Sequence, residues 1–352
     1  MRKERSLLFY GELPPDSING IANANHVNLE MLKSYFRIDI IQEKSNLAEH
    51  EKISIWKIVE LIRNNFLIIS KSIFHRYNFF YLTFSLSTVS SFKALTAILC
   101  FRLFNKGKIV LHLHRGDFFT RFYVKKVNRI IAKLTFKFCD KIIVLSENQK
   151  YEFDAAFNKS FTVLQNTVEL EYAQKLNTRR TNNFIYISNY LIEKGIMDLL
   201  EVFMELSKKY KEITLKTYGA FSDNRLKENI LKFNSSNISI GGTIGGIEKF
   251  KEIGQSDCLI LPSWNEGKPI ILLEAMSVGT PVIVPNVGLI PEMLGSDYPF
   301  FTIPRDKASL EKKLSQFIEQ KNRESISKMV QNRYLSFYSQ KSHAERLLKI
   351  FS

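Results

Sequence analysis

Short apolar runs rich in β-branched and aromatic residues recur along this chain, each followed by a stretch of helical periodicity. SLLFYGEL, RIDII, FFYLTFSL, KIVLHLH and KIIVLS mark the first half, and FIYIS, ITLKTYG, ISIGGT, DCLILPS and PVIVP the second. Strands that alternate with helices in this way close their hydrogen bonds as parallel sheets wrapped by helices. SLLFYGEL reads as a buried strand entering a loop with Pro14, Pro15, Asn19 and Gly20. A helix over Ile21 to Tyr35 and the strand RIDII follow. The alternation restarts after the polar stretch NTVELEYAQKLNTRRTNN, Asn166 to Asn183, where an interdomain linker is expected. A length of 352 residues suits two such domains, each of roughly 150–200 residues. The expected divisions are 1-175, 176-340 and a final helix over 341-352 that packs back toward the first domain.

Composition narrows the classes further. With 45% hydrophobic and 24% charged residues the chain is globular rather than disordered. Cys100, Cys139 and Cys258 lie far apart and form no cluster of metal-ligand spacing, which points to a reducing compartment. MRKERSLLFYGELPP has too short an apolar run for a signal-peptide core, so export is not expected. Phe79 to Phe104 is the most span-like segment, but Lys93 at its centre and Arg102 near its end favour a strand followed by a helix.

The net charge of +15 is unevenly placed. Residues 61–139 hold fourteen Lys and Arg against one acid, Asp117. Anionic lipid, nucleic acid and phosphorylated small molecules are compatible partners for such a face. Within it, RFYVKKVNRIIAKLTFKF, Arg121 to Phe138, reads as one amphipathic helix. Lys126, Arg129, Lys133 and Lys137 form one stripe, and Val127, Ile130, Ile131, Leu134 and Phe138 are expected on the opposite, core side. That helix is either a solvated face over an ordinary core or a site of peripheral attachment to anionic lipid.

NEGKPIILLEAMSVGTPVIV carries two glutamates in an apolar context. Pro269 where a helix would begin and Gly279 just past where it would end predict a helix over Lys268 to Val278. Glu266 then lies in the preceding loop and Glu274 inside the helix. The amides of Gly267, Lys268 and Ile270 would gather at the helix N-terminus, a natural place for anionic or hydroxyl-rich groups. The strand DCLILPS would bring this loop to the carboxyl edge of its sheet, where open α/β sheets bind ligands. The plainer alternative makes Glu274 a half-exposed helix residue and Glu266 an N-cap.

PSWNEGKPIILLEAMSVGTPVIVPNVGLIPE, Pro262 to Glu292, closely resembles the E-x7-E signature of retaining GT-B glycosyltransferases, of the glycosyltransferase family 4 type. YISNYLIEKGIMDLLEVF resembles the first strand and turn of the family's C-terminal domain, with Lys194 and Gly195 matching; Ser188 and Asn189 replace the usual Gly and Arg. GGTIGG places Thr243 and Ile244 where the family passes the nucleobase. DSINGIANAN is similar to its glycine-rich first loop, with Gly20 alone where two glycines are common. VLHLHRGDF is similar to its strand-end histidine segment, with His114 the better match and His112 read as an ordinary strand histidine.

The resemblance implies two Rossmann-like parallel-sheet domains facing across a cleft. It implies transfer of a sugar, with retention, from a UDP- or GDP-sugar to a hydroxyl of a glycan acceptor. By that analogy Glu266 and His114 are catalytic, while Gly20, Asn189, Lys194, Thr243, Ile244, Gly267, Lys268, Pro269, Ile270 and Glu274 bind the donor. No D-x-D occurs in the chain, so no metal and no resident cofactor are expected. The acceptor is expected to be lipid-linked, on an assembly path for cell-surface polysaccharide. The enzyme would then be cytoplasmic, at the inner face of the membrane. A GT-B epimerase or phosphorylase and an inactive partner subunit are the alternatives. No nucleic-acid-binding signature occurs.

Overall fold

The computed structural model describes residues 5–17, 19–43, 55–168, 182–221 and 223–352. Most of the expected linker lies outside the described residues. The chain forms two compact units, Met1–Glu169 with Gln340–Ser352, and Leu170–Ser339.

The first unit opens with β1 (Ser6–Glu12), α1 (Gly20–Lys33), β2 (Arg37–Glu43), α2 (Ile55–Phe74), β3 (Phe79–Phe84) and α3 (Thr88–Phe104). β4 (Lys108–Leu113), α4 (Lys126–Phe138), β5 (Lys141–Val144), α5 (Glu147–Phe157) and β6 (Thr162–Val163) follow. Its parallel sheet has the order β2-β1-β3-β4-β5-β6. All six residues of β3, FFYLTF, are buried, as a strand covered on both faces requires. One face packs on α2, α3 and α4 through Ile68, Ile98, Phe101 and Phe136. The other packs on α1 and on the last helix of the chain through Leu29, Leu32, Leu347 and Phe351. Side-chain caps start α1 and α3, where Asn19 accepts from the Ala22 amide and Ser87 from the Ser90 amide.

The second unit runs β7 (Asn183–Ile187), α6 (Ile196–Lys209), β8 (Thr214–Tyr218), α7 (Asn224–Leu231), β9 (Ile238–Ile240), α8 (Gly246–Gln255) and β10 (Cys258–Ile260). α9 (Ile270–Ser277), β11 (Val282–Pro285), α10 (Ile290–Leu294), β12 (Phe301–Thr302), α11 (Lys307–Glu319) and α12 (Arg323–Phe337) complete it, and α13 (Gln340–Ile350) returns to the first unit. The sheet order β12-β11-β10-β7-β8-β9 is that of a doubly wound Rossmann sheet. Its switch point falls between β7 and β10, which pair directly, Leu259 opposite Ile185.

The expected strand and helix over Phe79 to Phe104 are β3 and α3. Lys93 tolerates its buried place in α3 because Glu43 and Glu60 lie 3.0 and 3.2 Å from its ammonium. Among the described residues no helix is long and apolar enough to cross a membrane.

Two expectations need correction. The helix placed over Arg121 to Phe138 is broken: a wide π-type turn spans Phe118–Phe122, and α4 starts only at Lys126. Phe118 and Phe122 leave the helical path to enter the core beneath β3 and β4. The face of α4 expected to be covered is so only at Ile131, which is buried, and Phe138, which packs partly against the core. Asn128, Ile131, Ala132, Thr135 and Phe136 are buried, whereas Val127 and Ile130 are 59% and 54% exposed. Polar contacts fix this rotation. The Asn128 amide donates to the Phe122 carbonyl at 2.9 Å and accepts from the Thr88 hydroxyl at 2.8 Å, so a polar residue is drawn inward.

Candidate functional site

The loops that leave β7 and β10 emerge on either side of the switch point, the place where open α/β sheets leave a crevice. After β7 a single 3₁₀ turn, Ile192–Lys194, ends at Gly195, whose φ of +71° only glycine adopts without strain. A Cβ there would stand 2.1 Å from the Pro262 carbonyl oxygen, so the turn is seated directly on the strand-to-loop junction after β10. The Trp264 amide donates to the Glu193 carbonyl at 2.8 Å, and the Trp264 indole donates to Asp198 at 3.0 Å. These contacts bring the Lys194 ammonium to 2.7 Å from Glu266 Oε1. Gly288 holds the same loop from the other side. Its φ is +55°, a Cβ would lie 1.9 Å from the Glu266 carbonyl oxygen, and the next amide, Leu289, donates to the Gly267 carbonyl at 3.0 Å.

Glu274 lies in α9, buried among Leu272, Leu273, Ala275 and Met276. Its partner is Lys249 of α8, with Nζ 2.5 Å from Oε1 and side-chain exposures of 13% and 6% for lysine and glutamate. A charge so deep in a helix face persists because it is paired. In both pairs the lysine engages Oε1. α9 begins at Ile270, with Pro269 extended at the cap position (φ −69°, ψ 123°), which corrects the expected start at Lys268. Proline cannot donate, and here its fixed φ ends the loop instead of opening the helix. Lys268 is buried, its ammonium 5.0 Å from the centre of the Tyr338 ring. Gly267 precedes it in the loop, and Gly279 closes the helix at φ +73°.

The structure therefore places Lys194 against Glu266, and Gly267, Lys268, Pro269 and Ile270 between Glu266 and Glu274. Asn189 stands two residues past the end of β7, and its carbonyl accepts from the Leu191 amide at 2.9 Å. Thr243 is exposed in the loop between β9 and α8, and Ile244 is half-buried there, just ahead of the helix that delivers Lys249. Lys249, Trp264 and Gly288 were not singled out in the sequence. Lys249 lies in a run, EKFKE, with the look of a solvated helix. Gly195 and Gly288 carried a usable signal, a glycine beside each charged loop.

Gly20 and His114 belong to the first unit, at the carboxyl ends of its sheet. Gly20 is the exposed first residue of α1. His114 directly follows β4 and is buried, its ring centre 3.8 Å from that of His112. His112 meets the Tyr81 hydroxyl through Nδ1 at 2.6 Å, and Tyr81 meets Asn28 at 3.1 Å. Asn28 in turn meets His343 Nε2 of α13 at 2.6 Å, and His343 Nδ1 lies 2.7 Å from the Gln165 carbonyl. Burial pushes His114 down to about 3 and His343 down to about 4, and holds His112 well below the usual imidazole range. His114 is thus a neutral ring that can orient a hydroxyl but carries no charge near neutral pH.

A pH dependence follows. The unfolded chain takes up these protons below about pH 6.5 and the folded chain does not. Stability is full above that pH and falls on acidification toward pH 4 and below. Denaturant unfolding at pH 5 is expected to show His114 and His343 each contributing about 2 kcal/mol less than at pH 7. His343→Gln should remove its own share, about 2 kcal/mol, of a loss to which His112 also contributes, and an unchanged pH profile in the variant would contradict the assignment.

Residues 169–335 match the family described as Glycosyl transferases group 1, which spans almost the whole second unit. The second unit is similar to a glycosyl transferases group 1 domain. The chain is 26% identical over 168 residues to an uncharacterized glycosyltransferase of Haemophilus influenzae, covering 46% of each chain. It is 27% identical over 248 residues to an uncharacterized 41.2 kDa protein in the cps region of Klebsiella pneumoniae, covering 65% of this chain and 66% of that one. The matches thus span about half to two thirds of the length of these relatives. Sucrose-phosphate synthase from Thermosynechococcus elongatus superposes with a TM-score of 0.77 at 12% identity, over 99% of this chain and 98% of that one. A point mutant of S. aureus TarM, in complex with fondaparinux, alpha-GlcNAc-glycerol and UDP, superposes with a TM-score of 0.66 at 17% identity, over 82% of this chain and 59% of that one. The fold is GT-B: two six-stranded parallel sheets with helices, each Rossmann-like, of which the second holds the segment that matches the group 1 family.

Proposed function

We propose that the protein is a retaining glycosyltransferase of the family 4 type that moves a sugar from a UDP- or GDP-sugar to a hydroxyl of a glycan acceptor. The observation that carries the reading is the pair of lysine-held carboxylates, Lys194–Glu266 and Lys249–Glu274, on the loop and helix that follow β10 at the switch point. In this reading Glu274 accepts hydrogen bonds from the donor ribose hydroxyls, and Glu266 contacts the donor sugar near its reacting carbon. Lys194, with the α9 N-terminus, balances charge on the departing diphosphate without a metal. Asn189 lines the same loop as a neutral contact, Thr243 and Ile244 flank the base, and His114 keeps in the first unit a neutral ring suited to orienting a hydroxyl. Retention is assigned to a same-face route in which the leaving phosphate deprotonates the acceptor, so no carboxylate nucleophile is required. The cps-region relative and the UDP-bound TarM structure support a nucleotide-sugar donor and a polysaccharide acceptor. We assign the acceptor to the lipid-linked class.

Thermal shift against UDP, GDP, ADP and TDP tests the donor site. Stabilisation by one diphosphate, weakened about tenfold or more in Lys194→Met with little change for the monophosphate, is the expected result. An equal loss for mono- and diphosphate would remove Lys194 from the phosphate position, and silence toward all four nucleotides would overturn the donor site. NMR of the product formed with the matching nucleotide-sugar then reads the anomeric configuration, where inversion would end the retaining assignment.

A further inference from the structure

The helix layer of the first unit turns polar groups inward and apolar groups outward. α2 buries Asn64 and Ser72, yet exposes Ile55, Val59, Ile62, Phe66 and Ile73, with Phe66 68% and Ile62 63% open to solvent. Their spacing keeps them on one face of the helix. α3 exposes Phe92, Leu99 and Leu103, the last to 72%, and α4 exposes Val127, Ile130 and Leu134. α2 packs on α3 and α3 on α4, and all three bury their other sides in the same core, so these stripes lie side by side on one outer surface. Arg63, Lys126, Arg129, Lys133 and Lys137 are exposed on the same helices. The only acid in residues 61–139, Asp117, is paired with Arg115.

We propose that this three-helix face docks in the plane of an anionic lipid bilayer, with the apolar stripes below the phosphates and the cations among them. Charge selects this occupant. A second copy would have to lay the same basic surface against itself across a two-fold axis. A nucleic acid would engage the cations and leave the isoleucines and phenylalanines wet. None of the three helices spans a bilayer, so the attachment is interfacial. The surface stands apart from the transfer reading: lipid binding is measured without nucleotide or acceptor, so a failed donor site leaves it intact and a failed lipid assay leaves the donor site intact.

The test is flotation of the full chain with phosphatidylcholine vesicles, alone or with about one third phosphatidylglycerol. The expected result is affinity for the anionic vesicles at least about tenfold higher. Trp56, 81% exposed at the start of α2, should shift its emission to the blue on binding, and Trp56→Phe should abolish that shift. Ile62→Ser with Phe66→Ser should weaken binding about tenfold or more while leaving the melting temperature unchanged, since both side chains are exposed. Lys133→Glu with Lys137→Glu should remove the preference for anionic lipid. Binding that is absent, or present with no emission shift, would overturn the proposal. So would a lipid-free dimer in sedimentation that the serine variant dissolves.

Discussion

Glu274→Gln is expected to weaken the diphosphate donor and to lower kcat/KM by about a hundredfold or more, because hydrogen bonds to a charged group contribute about 1.5–3 kcal/mol each and the amide replaces a double acceptor. The same change separates function from stability. Lys249 lies with its side chain 13% exposed against a carboxylate 6% exposed, so removing the carboxylate strands a largely buried ammonium. Breaking a pair of this kind costs about 3–5 kcal/mol, which urea denaturation will resolve. Adding Lys249→Met should return most of the stability and none of the turnover. Donor affinity in Glu274→Gln within about threefold of the parent, measured by calorimetry, would make the pair structural and dismiss its assignment to the ribose.

Gly288→Ala is expected to be nearly as damaging without touching a charged group. The added methyl would sit 1.9 Å from the Glu266 carbonyl oxygen and 3.1 Å from that of Gly267, on a backbone held at φ +55°. The left-handed conformation alone costs a non-glycine residue about 1–3 kcal/mol. Backbone displacement adds to it, and a shift of about 1 Å at Glu266 lowers turnover by roughly a hundredfold. Gly242→Ala is the comparison, since nothing lies within 4 Å of a Cβ there and its stability should stay close to that of the parent. Equal behaviour of the two variants in melting and in turnover would mean that the loop yields easily and that Gly288 does not hold it.

The alternation of strands and helices was readable because each run is long enough to show its own period. FFYLTF reads as a strand buried on both sides, and it is the central β3. The positions of Glu266 in a loop and Glu274 in a helix were readable for the same reason. What the chain concealed were contacts made across elements. Lys249 precedes Glu274 by a full helix and strand, and nothing local says that its ammonium turns inward. The buried face of α4 was misread because periodicity counts Asn128 and Thr135 as polar, whereas Asn128 is held inside by the Phe122 carbonyl and Thr135 donates to the Ile131 carbonyl at 2.7 Å. α2 hides its inversion likewise, since its isoleucines look like core residues until a sheet with room for only one side of the helix is placed beneath it.

The final helix has a consequence for how the protein is made. Phe351 packs its ring against Phe36, Phe79 and Tyr81, and Leu347 and Ile350 fill the same layer, so one face of the first sheet is sealed by residues translated after the entire second unit. On the ribosome the second unit can finish folding while the first still exposes that aromatic layer. A nascent chain halted anywhere between the two units' last residues is therefore half complete and half sticky. Such fragments are natural clients for chaperones that recognise exposed aromatic surface, and splitting the protein for production should succeed for the inserted unit before it succeeds for the one that encloses it.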